Sequence, residues 1–84
     1  MVQFNMFTVY ILQSEKNGRY YVGYTSDLLK RLRYHNSGKN KSTKNGIPWR
    51  IVMQENYGLK REAWLREHQI KRYKGGQAFK KLVH

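Results

Sequence analysis

An α+β domain is what this chain predicts, on three observations. Residues 6–13 alternate as a strand does, and residues 19–24 are aromatic and β-branched as its partner would be. A third β-like run falls at 50–55, and two amphipathic helical stretches follow the hairpin, one before that run and one after it. With 84 residues there is material for one modest core, so the chain reads as a single domain, 1–84, folded over about 6–83.

The first two strands flank Ser14-Glu15-Lys16-Asn17-Gly18 and form a hairpin whose loop length sets the spacing of two tyrosines, Tyr10 and Tyr21. Any even loop puts both phenols on one face, because the side-chain period is two. A tight Asn17-Gly18 turn pairs Tyr10 with Thr25 and leaves the phenols roughly 13 Å apart. A four-residue loop pairs Tyr10 with Gly23 and makes Tyr21 the diagonal neighbour, about 7–8 Å away. The longer loop is expected. Gly23 would then leave open space opposite Tyr10, where a substrate backbone could approach, unless it marks a simple bulge or strand end.

Ser26 or Asp27 caps a helix running to about Asn36, which Gly38 ends, with Leu28, Leu29 and Leu32 as its buried stripe. Arg31 and His35 stand one turn apart on one flank. Residues 37–46 are polar, rich in lysine and without periodicity, the pattern of a mobile loop that could close on phosphates or be a plain solvated connector. Pro48 opens the third strand, where a missing N–H costs least. From Leu59 to Tyr73 runs the second long helix, with Ala63, Trp64 and Ile70 on its apolar side and Glu67 in or beside that stripe. A carboxylate there implies a cation, since an unpaired one in apolar surroundings is strongly disfavoured. Gly75-Gly76 breaks the helix, and Gln77–Val83 forms a last one that docks Phe79 and Leu82.

Seventeen Lys+Arg stand against five Asp+Glu, a formal net charge of +12. So large a surplus in a short chain favours a partner with a phosphate backbone, DNA or RNA. Lys39, Lys41 and Lys44 in the loop, with Arg33 and Lys71 on the helices, are the candidate phosphate contacts. The longest apolar run, Val9–Leu12, is too short to span a bilayer, so no membrane role is expected. The absence of cysteine removes disulfides and thiolate metal sites. Met1–Asn5 carry no signal-peptide pattern, and a cytoplasmic location follows.

Only Glu15, Asp27, Glu55, Glu62 and Glu67 are carboxylates, and they are too scattered to build a two-metal centre. A single Mg²⁺ (or Mn²⁺) held by Glu67, waters and a substrate phosphate suits the chain better. The plain alternative for Glu67 is an ion pair with Arg31, Lys71 or Arg66. Phosphodiester hydrolysis needs an activated water, positive charge on the pentavalent phosphorus centre and help for the departing oxyanion. Arg31 suits the second need and the cation on Glu67 the third, leaving Tyr10, Tyr21 and His35 for the first.

Thr8-Val9-Tyr10 followed by Tyr21-Val22-Gly23, then Arg31, His35 and the later Glu67, resemble the signature of the GIY-YIG nuclease superfamily. Tyr21-Val22-Gly23-Tyr24-Thr25-Ser26-Asp27-Leu28, His35-Asn36-Ser37-Gly38 and Arg66-Glu67-His68-Gln69-Ile70-Lys71 are similar to its small single-domain branch. The resemblance spans about residues 6–83. It implies a three-stranded antiparallel sheet flanked by helices and a metal-dependent DNA endonuclease for duplex or branched substrates, in repair or recombination, that leaves 5′-phosphate and 3′-hydroxyl ends. It implies further that Tyr10 is the general base, Tyr21 and His35 orient water and phosphate, Arg31 stabilises the transition state and Glu67 binds the metal. Thr8 replaces the signature's glycine, and the late asparagine of some larger relatives has no match after Gly76, with Gln77 the nearest stand-in. The rival expectation is a nucleic-acid-binding module that keeps the nuclease shell without turnover. Specificity would come from substrate shape, dimerisation or a partner protein.

Overall fold

The computed structural model describes residues 6–84; Met1–Asn5, and with them the signal-peptide reading, lie outside the described residues. In chain order come β1 (Phe7–Ser14), β2 (Tyr20–Thr25), α1 (Leu28–Asn36), a 3₁₀ turn at Lys44–Gly46, β3 (Trp49–Tyr57), α2 (Lys60–Tyr73) and α3 (Gln77–Val83). The sheet is antiparallel in the order β2-β1-β3. The loop spans Glu15–Gly18 and the register sets Tyr10 opposite Gly23, as the longer of the two loops requires. Ser14 explains why the Asn-Gly turn loses. Its hydroxyl accepts the backbone N–H groups of Lys16 (3.1 Å) and Asn17 (3.0 Å), holding the chain open at the strand end.

Central β1 is covered on both faces, which is why Val9–Leu12 reads as an unbroken apolar run. Val9 and Ile11 pack with Ala63, Ile70 and Phe79 from α2 and α3. Tyr10 and Leu12 face the other way, into a smaller core with Trp49, Leu28, Leu32 and Ile47. A bulge at Val52 keeps both halves in step, for Ile11 pairs with Met53 but Leu12 with Ile51.

Two expected core residues are surface residues. Leu29 is 64% exposed and Trp64 44% exposed, so each helix buries a narrower stripe than its apolar pattern suggests. Residues 37–46, expected as a mobile loop or a solvated connector, are tied to the domain at several points. The Thr43 side chain is buried, the Ser14 hydroxyl donates to the Gly46 carbonyl, and the Trp49 indole N–H donates to the Thr43 carbonyl at 2.7 Å. Asn36 closes the segment by gripping the Trp49 backbone twice, accepting its N–H at 2.7 Å and donating to its carbonyl at 3.1 Å. Lys39, Lys41 and Lys44 point outward from this tethered arch. Asp27 caps α1, its carboxylate accepting the Lys30 N–H at 3.1 Å. At the end of α2, Lys74 takes the left-handed position (φ 49°) ahead of Gly75 (φ 80°).

Candidate active site

Tyr10 projects from the middle of β1 and is only 2% exposed. Its ring stacks on Tyr21 with centroids 6.4 Å apart, and its hydroxyl lies 3.1 Å from Nε2 of His35. The Tyr21 ring also leans on His35, centroids 4.6 Å apart. Hairpin register and the last turn of α1 thus bring three of the expected residues into one cluster.

Gly23 serves that cluster differently from the expectation. A Cβ there would stand 2.6 Å from the Tyr10 hydroxyl and 3.2 Å from the Tyr21 ring. The missing side chain makes room for the Tyr10 phenol, and no open space is left for a substrate backbone. Gly23→Ala is therefore expected to displace the Tyr10 hydroxyl, costing about 1–3 kcal/mol of stability and about ten- to a hundredfold in any turnover that depends on it. Denaturant melts and cleavage rates of the variant check both.

His35 is fully buried, so its ring has no direct contact with solvent. Its other nitrogen, Nδ1, lies 3.0 Å from the hydroxyl of Thr43, itself 1% exposed. Thr43 is the residue the sequence concealed, since nothing distinguishes it from the other hydroxyls of a polar loop. Burial, then the Arg31 charge, lowers the His35 pKa from 6.5. The folded state thus binds fewer protons than the unfolded chain just below pH 6.5, and stability rises with pH across that window. His35→Gln is expected to flatten this acid-side slope, measured as melting temperature between about pH 5 and 7.

Arg31 is exposed one turn before His35, its guanidinium 5.7 Å from the centre of the Tyr34 ring. It lines a cleft of ≈ 510 Å³ with Thr25, Ser26, Asp27, Lys30 and Tyr34. Burial and then Tyr21 raise the Tyr10 pKa, Arg31 lowers it and Glu67 raises it.

Glu67 comes from α2, which packs beneath the face of the sheet opposite Tyr10, alongside edge strand β2. Tyr21 and Lys71 line one cleft around that edge, and Lys71 Nζ is 2.9 Å from Glu67 Oε1. The carboxylate is 7% exposed, set between Ala63 and Ile70 as its spacing requires. Of the three cations considered for it, Lys71 is the partner; Arg66 instead holds Glu55 through two hydrogen bonds of 2.8 and 3.1 Å. That pair keeps the Glu55 carboxyl below its ordinary range and away from any metal role. Arg33 lies about 200° around α1 from Arg31, on a different flank of the helix. Gln77 is exposed at the start of α3.

Residues 6–80 match the GIY-YIG catalytic domain. The chain belongs to the GIY-YIG family. It is 39% identical over 70 residues to a UPF0213 protein of Streptococcus pneumoniae, covering 82% of this chain and 70% of that one. A UPF0213 protein of Staphylococcus epidermidis is 41% identical over 75 residues, covering 88% and 90%. A UPF0213 protein from Bacillus halodurans, solved by NMR in solution, superposes with a TM-score of 0.59 at 33% identity, covering 93% of this chain and 82% of that one. The GIY-YIG domain points to nuclease activity on a nucleic-acid substrate. Its first triplet here carries Thr8 without distortion, for Thr8 pairs with Thr25 and Asn56 within the sheet and donates to the Asn56 side chain at 2.8 Å. GIY-YIG nucleases are typically divalent-metal dependent. Among the described residues no three His, Cys, Asp or Glu side chains group as a metal cluster. Glu67 fits a hard cation that keeps most of its water in offering one buried carboxylate, whose partner here is Lys71. No helix among the described residues is long and apolar enough to cross a membrane.

Proposed function

We propose that this GIY-YIG protein is a divalent-metal-dependent DNA endonuclease. The observation that carries the proposal is the buried Tyr10–His35 hydrogen bond, with Tyr21 packed on both rings and Arg31 one helical turn before His35. Tyr10 alone is a poor base, because its burial raises the pKa of the phenol. His35 alone cannot touch substrate. Together they form a relay: the attacking water gives a proton to the phenol oxygen as the phenol proton passes to Nε2, with Nδ1 anchored on Thr43. The water oxygen bonds phosphorus and the P–O3′ bond breaks; the departing 3′ oxygen takes a proton from solvent and His35 returns its own through Tyr10, leaving a 3′-hydroxyl and a 5′-phosphate. Arg31 grips the phosphate as negative charge accumulates, and Tyr21 holds the Tyr10 and His35 rings in place. Glu67 would hold Mg²⁺ or Mn²⁺, whose contribution when bound is Lewis-acid stabilisation of the departing oxygen.

Supercoiled plasmid incubated with protein and Mg²⁺ should be nicked, and chelation should stop it, with 5′-phosphate at the new ends. A panel of linear, nicked, flapped and four-way DNA would define the preferred shape. Salt-sensitive binding without cleavage of any of these in either metal would leave only a binding module. Arg31→Ala is expected to slow cleavage by about a hundredfold or more with the melting temperature unchanged. Arg31→Lys should restore only part of that rate, since an ammonium lacks the paired N–H grip; single-turnover rates on a labelled duplex compare the two.

A further inference from the structure

Two clefts open along the seam between β2 and α2, one on each side of Glu67. The first, ≈ 270 Å³, is lined by Tyr24, Lys60, Arg61 and Trp64. The second, ≈ 360 Å³, takes Tyr21 and Val22 from the strand and Ile70, Lys71 and Lys74 from the helix, with Tyr20 and Phe79 beyond. Tyr24 meets the start of α2 and Tyr21 its end, so strand and helix run in opposite directions with Glu67 midway between the clefts.

Trp64 is the anomaly. Its spacing belongs to the buried stripe, yet it stays 44% exposed although the His68 ring lies on it at 3.8 Å. A large aromatic kept in solvent and rimmed by Lys60 and Arg61 suits a ligand with a flat apolar face and an attached negative charge. Neither cleft is lined by an acidic residue. From Trp64 to Lys74 the helix rises about 15 Å, enough for several nucleotides of one strand.

We infer that this seam is a groove for a single nucleic-acid strand, with a base stacked on Trp64, phosphates on Lys60, Arg61, Lys71 and Lys74, and the backbone passing Glu67. The inference rests on the nuclease proposal only for the strand's direction past Glu67. A duplex is the poorer occupant, because pairing and stacking hide the base faces that an aromatic platform needs. The groove also places the main phosphate contacts on α2, away from the arch lysines; of the sequence candidates only Lys71 belongs to it.

Binding is measured without divalent metal, using short single-stranded deoxy- and ribo-oligonucleotides and a duplex of the same length, followed by anisotropy and by tryptophan fluorescence. Trp49 is buried, so quenching on binding reports Trp64. The expected result is quenching by a single strand of either sugar, an affinity about five- to a hundredfold weaker in Trp64→Ala, and recovery of most of it in Trp64→Phe. Lys60→Ala with Arg61→Ala should shallow the salt dependence by about one to two ions. Unchanged affinity in Trp64→Ala, or a duplex bound as tightly as the strand, overturns the groove. The two proposals fail separately. Nicking by the wild type with unaltered strand binding in Trp64→Ala removes the groove alone, whereas Trp64-dependent strand binding by a wild type that never cleaves removes the nuclease alone.

Discussion

Glu67→Gln is expected to lower cleavage by about a thousandfold or more, the rate equivalent of several kcal/mol of charge stabilisation. Glutamine keeps the shape of the side chain between Ala63 and Ile70, so the α2 core stays packed. What it removes is the negative charge, and with it the one carboxylate available to a cation at this place. Lys71 loses its partner, but its side chain is half exposed and can turn to water, so the stability cost should stay within about 1 kcal/mol. Mn²⁺ binding, followed by loss of the free-ion EPR signal, should vanish in the variant alongside activity. A variant that still binds Mn²⁺ and nicks plasmid at the wild-type rate would return Glu67 to a purely structural ion pair with Lys71.

Why the sequence exposed some of this site and hid the rest follows from where each signal lives. Tyr10 and Tyr21 were legible because strand period and loop length leave few registers, and only one makes the phenols neighbours. The placement of Glu67 followed from helical spacing alone, three residues from Trp64 and three from Ile70. Its partner did not, because Lys71, Arg66 and Arg31 are all cations of suitable reach and the choice depends on tertiary placement. Gly23 had the correct position but the wrong purpose, since glycine marks a close approach without saying which group approaches. Leu29 and Trp64 show the limit of apolar pattern: in a domain this small, the sheet is too narrow to cover a full helix stripe. Thr43 was out of reach altogether. Its burial is decided by Trp49, Asn36 and Ser14, which pull the arch down through backbone groups that have no sequence signature.

Tyr10→Phe removes a single oxygen and is expected to cost about a hundred- to ten-thousandfold in turnover, the usual weight of a positioned acid–base group. The ring stays in its place against Tyr21, so the fold should persist, while His35 Nε2 loses its hydroxyl partner. The pH profile separates the relay from a structural role. His35 must be neutral to take the phenol proton, and burial with the Arg31 charge holds its pKa below 6.5, so wild-type cleavage should be level through neutral pH and fall only on the acid side. In Tyr10→Phe the residual rate should lose that acid limb, because no proton then reaches His35. Thr43→Val should move the limb, by removing the Nδ1 partner, and Thr43→Ser should restore it. If Tyr10→Phe keeps the wild-type profile at a reduced rate, the hydroxyl is a packing group and the water is activated elsewhere.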